Sequence, residues 1–462
     1  MSQLTNSTLR DQINRLRSQP EDLFNGLLDR TVIEEALEQE GIRWRACVYT
    51  PMITLWTFVL QILDPDHSCR AAVSRLSAYL TSVGRRCCSP DTGPYCKARS
   101  RLPLSFISRL VRTTGRNLDE TSQDTWKWKG HSVYIFDGTT VSMPDTQDNQ
   151  KAFPQPRTQK PGLGFPIARL VVVISLASGA VRRLAMGAYK GKGTGEPSLL
   201  RSIWDEIERG AVALGDRCFG SFFGIAGLLV RGVDSVFRCY QGRKIDFNTG
   251  KRLGEMDHIT TWVKPQRPKD MDISLYDSLP SEMEIREVGY RVMKRGFRVR
   301  FVILATTLLD ATKYSVEDLA ELYYERWNIE VDLRTIKVEL SMNVLRCKTP
   351  DMVEKEVWMH MLVYNLVRTL MSKAAARSGT APRKLSFKGA MQAIRSHSEA
   401  MMYAMEGRRE ILYKQLLEII VSNKVGHRRG RVEPRGVKRR PKPGRLLLEP
   451  RHAARKRLQE AA

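Results

Sequence analysis

No apolar run in this 462-residue chain approaches the length of a membrane span. The longest, residues 53–63, reaches about half that length and contains Thr54, Thr57 and Gln61, so it reads as a buried helix. The first residues (MSQLTNSTLRDQ) also lack the apolar stretch of a secretory signal. Both absences lead to the expectation of a soluble, cytoplasmic protein with no membrane partner. Zinc-type cysteine pairs are missing too. Of Cys47, Cys69, Cys87, Cys88, Cys96, Cys218, Cys239 and Cys347, the tightest group is Cys87, Cys88 and Cys96, and it has no suitable histidine nearby. That excludes a Cys/His zinc site and leaves reduced structural thiols. Acidic residues are scarce relative to basic ones: 50 Asp and Glu face 75 Lys and Arg, a net charge of +25. A soluble chain this basic meets a polyanion. With 42% hydrophobic residues it can still build real cores, in two or three domains.

The basic excess is uneven. Residues 424–457 hold 14 Lys and Arg against Glu433 and Glu449 alone, a net charge of +12. Pro and Gly interrupt this segment (GHRRGRVEPRGVKRRPKPGR) too often for a regular helix. It reads as an extended arm, with Arg439 and Arg440 near its middle, that follows a phosphate backbone without reading sequence. The plain alternative is a solubilising tail.

Pro and Gly are missing altogether from residues 321–340 (ELYYERWNIEVDLRTIKVEL), whose apolar side chains recur at helical spacing. As a helix started by Ser315, with Asp318 three residues on, it sets Leu322, Ile329, Leu333, Ile336 and Leu340 on a core-facing stripe. At about 100° per residue, Tyr323, Arg326, Glu330 and Lys337 then fall within an arc of roughly 60° at the edge of that stripe. One carboxylate, two cations and a phenol facing one way suit a phosphodiester, the carboxylate holding a metal and the others phosphate oxygens. Taken alone, Arg326 and Glu330 read equally well as an ordinary i,i+4 pair on a solvated face.

Up to residue 115 the chain reads as helical, with helices at 23–40, 53–63 and 69–83 and a basic, turn-rich loop after them. After Trp126 the texture changes. A strand at 133–136 ends in Asp137, a hairpin pairs 168–176 with 181–188, and a helix at 196–209 carries Pro197 in its first turn. A strand at 211–214 leads to Asp216, followed by a helix at 222–231 and a strand at 233–240. Three strands, then helix, strand, helix, strand is the order of a ribonuclease H-like α/β fold. Residues 241–304 interrupt it with strands at 258–264, 283–288, 290–294 and 297–304, the last two joined by a tight turn at 294–296. A second long helix spans 353–375.

In that order the first and fourth strands are neighbours whose C-terminal ends share one edge of the sheet. Asp137 and Asp216 therefore come to the same edge, and a helix packed across the sheet can bring Glu330 there. Clustered carboxylates repel one another unless cations neutralise them. Hard oxygen ligands without Cys or well-placed His point to Mg²⁺ or Mn²⁺, and two such ions serve in-line phosphoryl transfer. Each aspartate alone has a plainer reading, Asp137-Gly138 as a turn dipeptide and Asp216 as a helix cap. The glycine-rich stretch 191–195 lacks nucleotide-loop spacing and reads as a flexible connection.

On these residues the chain resembles the DDE-type transposases of bacterial insertion sequences, specifically the insertion sequence 4 family. The likeness runs through SCRAAVSRL and DTGPYCKARSRLP, YIFDGTTVSMPDT around Asp137, ALGDRCFGSFF around Asp216, RGFRVRFVILATTLLD, and YYERWNIEVDLRTIK. In the last, Tyr323, Arg326, Glu330 and Lys337 match the family's spacing without a gap. The resemblance implies cut-and-paste transposition: binding of terminal inverted repeats, pairing of two ends in a homodimer, metal-dependent nicking, and attack by the freed 3′-hydroxyl, in several relatives through a hairpin, before joining to target DNA. Asp137, Asp216 and Glu330 would hold the metals, and Tyr323, Arg326 and Lys337 would grip phosphates near the transferred end. Some relatives support the hairpin by flipping a base against a Trp; here Phe301 and Trp262 are the candidates, a lone Trp in a β-rich segment being more often core. The implied organisation is a helical end-binding domain at 1–115, a ribonuclease H-like core at 116–240 and 305–375, a β-rich insertion at 241–304, and a helical C-terminal region with the basic arm at 376–462. A bacterial, nucleoid-associated protein follows from the same likeness. Two other readings share these residues: an inactive DNA-binding protein of the same fold, and a metal-dependent nuclease that does not join strands.

Overall fold

The computed structural model describes residues 28, 30–42, 47–240, 242–292, 301–426 and 447–461. Among the described residues, five helices precede the sheet: α1 (Arg30–Gln39), α2 (Pro51–Leu63), α3 (Cys69–Ser82), α4 (Gly93–Arg101) and α5 (Leu104–Glu120). Their starts follow from local chemistry. Thr50 accepts from the Ile53 amide with Pro51 in the first turn, and Ser68 accepts from the Ala71 amide. The apolar run singled out in the sequence is α2, buried almost throughout.

The sheet contains β1 (Val133–Ser142), β2 (Ile167–Ser175), β3 (Val181–Ala188), β4 (Val212–Gly215), β5 (Asp234–Arg238), β6 (Lys251–Gly254), β7 (Asp257–Val263), β8 (Glu282–Arg291) and β9 (Phe301–Thr306). Between the strands lie α6 (Gln147–Ala152), α7 (Glu196–Arg201), α8 (Phe222–Leu229) and α9 (Ile273–Ser278). After them come α10 (Val316–Glu325), α11 (Trp327–Val338), α12 (Pro350–Ser378), α13 (Phe387–Tyr403), α14 (Glu406–Ser422) and α15 (Arg451–Glu460). The nine strands form one mixed sheet in the order β3-β2-β1-β4-β5-β9-β8-β7-β6. β1, β4 and β5 run parallel, and every other pairing is antiparallel. The strands at 241–304 continue the same sheet, because β9 pairs with β5 on one side and β8 on the other.

Alternation along the strands divides the core in two. Val133, Ile135, Leu170, Val172, Val212 and Leu214 pack with α2, α5 and α12, whereas Tyr134, Phe136, Val171, Val173 and Ala213 pack with α7 and α8. The long helix α12 starts at Pro350 and stops at Gly379, which takes the left-handed conformation (φ +62°). Buried Asn365 on α12 ties three elements together. Its amide donates to the carbonyls of Val111 (3.2 Å) and Val181 (2.9 Å), and its oxygen accepts from the Val181 amide (2.8 Å). Gly115 lets α5 lie against β3, since a Cβ there would stand 2.4 Å from the Val181 carbonyl oxygen. Among the described residues no helix is long and apolar enough to cross a membrane.

Several elements differ from the sequence reading. The helix expected over 196–209 ends at Arg201 and tightens through i→i−3 bonds (Ser202 to Leu199, Ile203 to Leu200) into a 3₁₀ turn at Trp204–Glu206. That turn drives the Trp204 ring under Gly227, where a Cβ would lie 2.3 Å from it. Tyr290 belongs to β8, and the turn at 294–296 lies outside the described residues, as do residues 427–446 with Arg439 and Arg440. The end of the basic segment, expected to be extended, is helical as α15. Arg451 docks it on the β1–β2 connection by bonding Asp145 (3.2 Å) and covering the Phe165 ring at 3.9 Å.

Candidate active site

β1 and β4 run side by side with Val133 opposite Val212, Tyr134 opposite Ala213 and Ile135 opposite Leu214. Continued two residues past the last paired positions, the same register brings Asp137 of β1 level with Asp216, the first residue after β4, and Asp216 is close enough to raise the Asp137 carboxyl. Ile135 and Leu214 face the α12 side, so with a period of two both aspartates turn to that side as well. Asp137 does not end its strand: β1 continues to Ser142, paired with β2 only, while β4 stops at Gly215. Nor is Asp137-Gly138 a turn. Gly138 is a mid-strand glycine of close approach, where a Cβ would stand 2.2 Å from the Glu196 carboxyl carbon on the opposite face.

Glu330 reaches the site on α11. The single helix expected over 321–340 is two helices, α10 and α11, meeting at Arg326. The capping box of Ser315 and Asp318 starts α10 with both halves formed. At the junction the Arg326 amide bonds Tyr323 and the Ile329 amide bonds Arg326, both i→i−3 at 3.2 Å, which tightens the turn to about three residues and rotates Tyr323 relative to Glu330. Beyond it Lys337 donates to the Thr140 carbonyl (2.9 Å) and lies 3.3 Å from the Thr139 hydroxyl, both on β1. The chain then stays beside β1, the Leu345 amide bonding the Ser142 carbonyl at 2.9 Å. Asp332, on the buried face of α11, bonds Arg368 of α12 (2.5 Å) and Arg383 (2.8 Å), and Arg383 also donates to the carbonyls of Ser175 and Leu176.

The three carboxylates feel one another. Asp137 is pushed up to about 6, first by burial; Asp216 and Glu330 add to the rise, while the Gly138 amide and Arg326 oppose it. Each is also engaged nearby: Glu330 by Arg326 at 2.8 Å, Asp137 by the Gly138 amide and Asp216 by the Cys218 amide, both at 2.8 Å. As placed, no three His, Cys, Asp or Glu among the described residues could hold one metal ion. The donor set itself, oxygen-only and mutually repelling, fits a hard divalent cation. Burial raises the Tyr323 phenol, opposed by Arg326 and Arg238, and lowers the Lys337 ammonium.

The sign of the Asp137 effect yields a test on protein free of divalent cations. A carboxyl raised from 3.8 to about 6 favours the folded state below pH 4, and this stability is lost as pH rises through 6. Asp137→Asn should therefore melt higher than the parent at pH 8, by an amount corresponding to about 2 to 3 kcal/mol, with the gain gone at pH 4. Parallel melting-temperature profiles for the two proteins would contradict the assignment.

Other sequence candidates fall elsewhere. Trp262 is 1% exposed, donates to Glu287 (2.9 Å) and lies under the Arg243 guanidinium, so it is core and is not brought to the carboxylates. Phe301 opens β9, 40% exposed, at the strand-end edge that also carries Arg238. Two residues at this edge were not singled out from the sequence. Arg238 ends β5 and acts on Tyr323 and Tyr290. Trp327, next to Arg326, is 55% exposed; its place one residue past the polar stripe was the available signal.

A nucleic-acid phosphoryl-transfer enzyme of the acidic-triad class has this kind of arrangement, an aspartate in the central strand, a second just past its parallel neighbour and a glutamate on a helix. The family model described as "Transposase DDE domain" matches residues 128–366, a span that contains Asp137, Asp216 and Glu330. The chain belongs to this DDE transposase family and is a DNA transposase. It is 27% identical over 424 residues to the transposase InsG for insertion sequence element IS4 of Escherichia coli (strain K12), covering 90% of this chain and 91% of that protein. Among solved structures, the cryo-EM structure of the piggyBac transposase synaptic complex with hairpin DNA is similar at a TM-score of 0.44 and 12% identity, over 87% of this chain and 85% of that one.

Proposed function

We propose that the chain moves an insertion sequence by cutting and rejoining DNA at the element's terminal inverted repeats, with the ribonuclease H-like core at 116–240 and 305–375 as its catalytic part. The observation that carries this reading is the shared register that aligns Asp137 with Asp216 while α11 carries Glu330 against β1. Asp137, Asp216 and Glu330 would hold the divalent cation. When bound, Mg²⁺ or Mn²⁺, in the full form two ions, activates the attacking hydroxyl and stabilises the leaving oxygen. Arg326, already bonded to a carboxylate oxygen of Glu330, offers its remaining donors to a phosphate oxygen. Tyr323 adds a hydroxyl kept neutral by burial, and Lys337, anchored on β1, adds a second cation along the strand. Residues 1–115 read the DNA end, and two chains pair two ends. The basic arm of residues 424–457, Arg439 and Arg440 among them, would contact the DNA backbone without reading sequence. Phe301 and Trp327 are exposed aromatics that could receive a base should one leave the stack.

The test offers the purified chain DNA bearing the element's ends, with Mg²⁺ or with EDTA. Nicks with free 3′-hydroxyls followed by joined products are expected with Mg²⁺ and none with EDTA. Nicks without joining would favour the nuclease reading, and binding without cleavage the inactive one.

A further inference from the structure

A second cationic feature stands apart from the carboxylates. α5 buries Phe106, Ile107, Leu110, Val111, Gly115 and Leu118, which leaves Arg109, Arg112 and Arg116 on its outer face at i, i+3 and i+7, one continuous stripe. Because Asn365 and Gly115 lock α5 onto β3, Arg183 of β3 closes the other side of a cleft of about 260 Å³, lined also by Thr113 and Glu206. Arg112 Nη1 (3.3 Å) and Arg183 Nε (2.8 Å) converge on the same Glu206 oxygen. That Arg183 nitrogen is buried and, despite the short distance, makes no directed hydrogen bond. Arg109 shares Glu40 at 3.3 Å, while Arg116 is exposed and forms no ion pair among the described residues. Three guanidinium groups thus share two carboxylates, and the fourth, Arg116, adds its charge without a carboxylate partner among the described residues. Across the sheet Arg183 lies opposite Val173, and Val173 opposite Phe136. The Arg183 backbone therefore stands two strand spacings, about 10 Å, from that of Phe136, on the face turned to α7 and α8 and not on the α12 face that carries Asp137.

We propose that this cleft is a phosphodiester-binding site that holds a DNA backbone along the β3 edge of the sheet. Planar guanidinium forks match phosphate oxygens in pairs, and the two groups now sharing one Glu206 oxygen are arranged as they would be around a phosphate oxygen. Glu206 is then an internal competitor for the ligand. The phosphate belongs either to the element's own end or to target DNA; the chemistry is the same. The inference rests on the reading of the chain as a transposase acting on DNA.

The experiment measures DNA affinity of the full chain against salt concentration, using an inverted-repeat duplex and an unrelated duplex of equal length, together with end cleavage and joining. For Arg112→Ala combined with Arg116→Ala, affinity should fall about ten-fold and the slope of log K against log salt should flatten by about 2. Glu206→Gln should act in the opposite direction, tightening binding about three-fold. Weaker binding and cleavage of the end duplex assign the phosphate to the element; normal cleavage with impaired joining and weaker binding of the unrelated duplex assign it to target DNA. Arg116→Glu breaks no ion pair, so it repeats the test should the double variant melt early. Unchanged affinity and slope in these variants, with a parent protein that binds steeply, overturn the cleft and leave the transposase reading intact. No DNA binding by the parent overturns both.

Discussion

Asp137→Ala, Asp216→Ala and Glu330→Ala should each still bind element-end DNA yet cleave it at least about 10³-fold more slowly, roughly 4 kcal/mol in the barrier. Each substitution deletes one oxygen donor from an edge where three carboxylates already repel one another, as the raised Asp137 carboxyl reports. Loss of fold does not account for such an effect. Asp216 and Glu330 are only partly buried, and removing the Asp137 charge relieves a burden on the metal-free protein. Gel analysis of cleavage beside a binding assay separates the two properties. Normal cleavage by any of the three variants sinks the assignment of the acidic site, and loss of binding by all three points to a structural role instead.

Asp332→Ala should be the most destabilising single change on α11, at about 3 to 5 kcal/mol. The carboxylate is 1% exposed and is shared by the guanidinium groups of Arg368 and Arg383, themselves nearly buried. Removing it leaves two cations desolvated without their anion, which costs far more than a surface pair is worth. Arg383 also caps the hairpin turn through Ser175 and Leu176, and Arg368 lies under Gly179, so the loss spreads to the β2–β3 turn. Chemical denaturation measures it. The exposed pair Lys456–Glu460 on α15 serves as the control, with an effect of at most about 0.5 kcal/mol. A midpoint for Asp332→Ala equal to the parent's would mean that α11 is held by apolar packing alone.

The apolar runs of β1 and β2 and the Gly215-Asp216 at the end of β4 were legible because they are local, and so were the capping box and polar stripe of α10 and α11. What was not legible depended on partners distant in sequence. Nothing near Arg326 announces that the helix breaks there, since its dihedrals stay helical and only the bonding tightens. Residue composition stopped the first strand at Asp137, whereas pairing with β2 carries it to Ser142. The burial of Trp262 follows from Glu287 and Arg243, neither adjacent in the chain. The helix α15 escaped notice because prolines and glycines up to Pro450 dominated the reading of a segment whose last residues have none.

The alignment of Asp137 with Asp216 is a matter of counting as well as chemistry. One residue gained or lost between Val133 and Asp137, or between Val212 and Asp216, would turn an aspartate toward α7 and α8 and leave every amino acid of the site in place. Over evolutionary time these two short spans can vary in sequence but not in length, so a gap placed there in a relative would mark a lost site even where both aspartates survive.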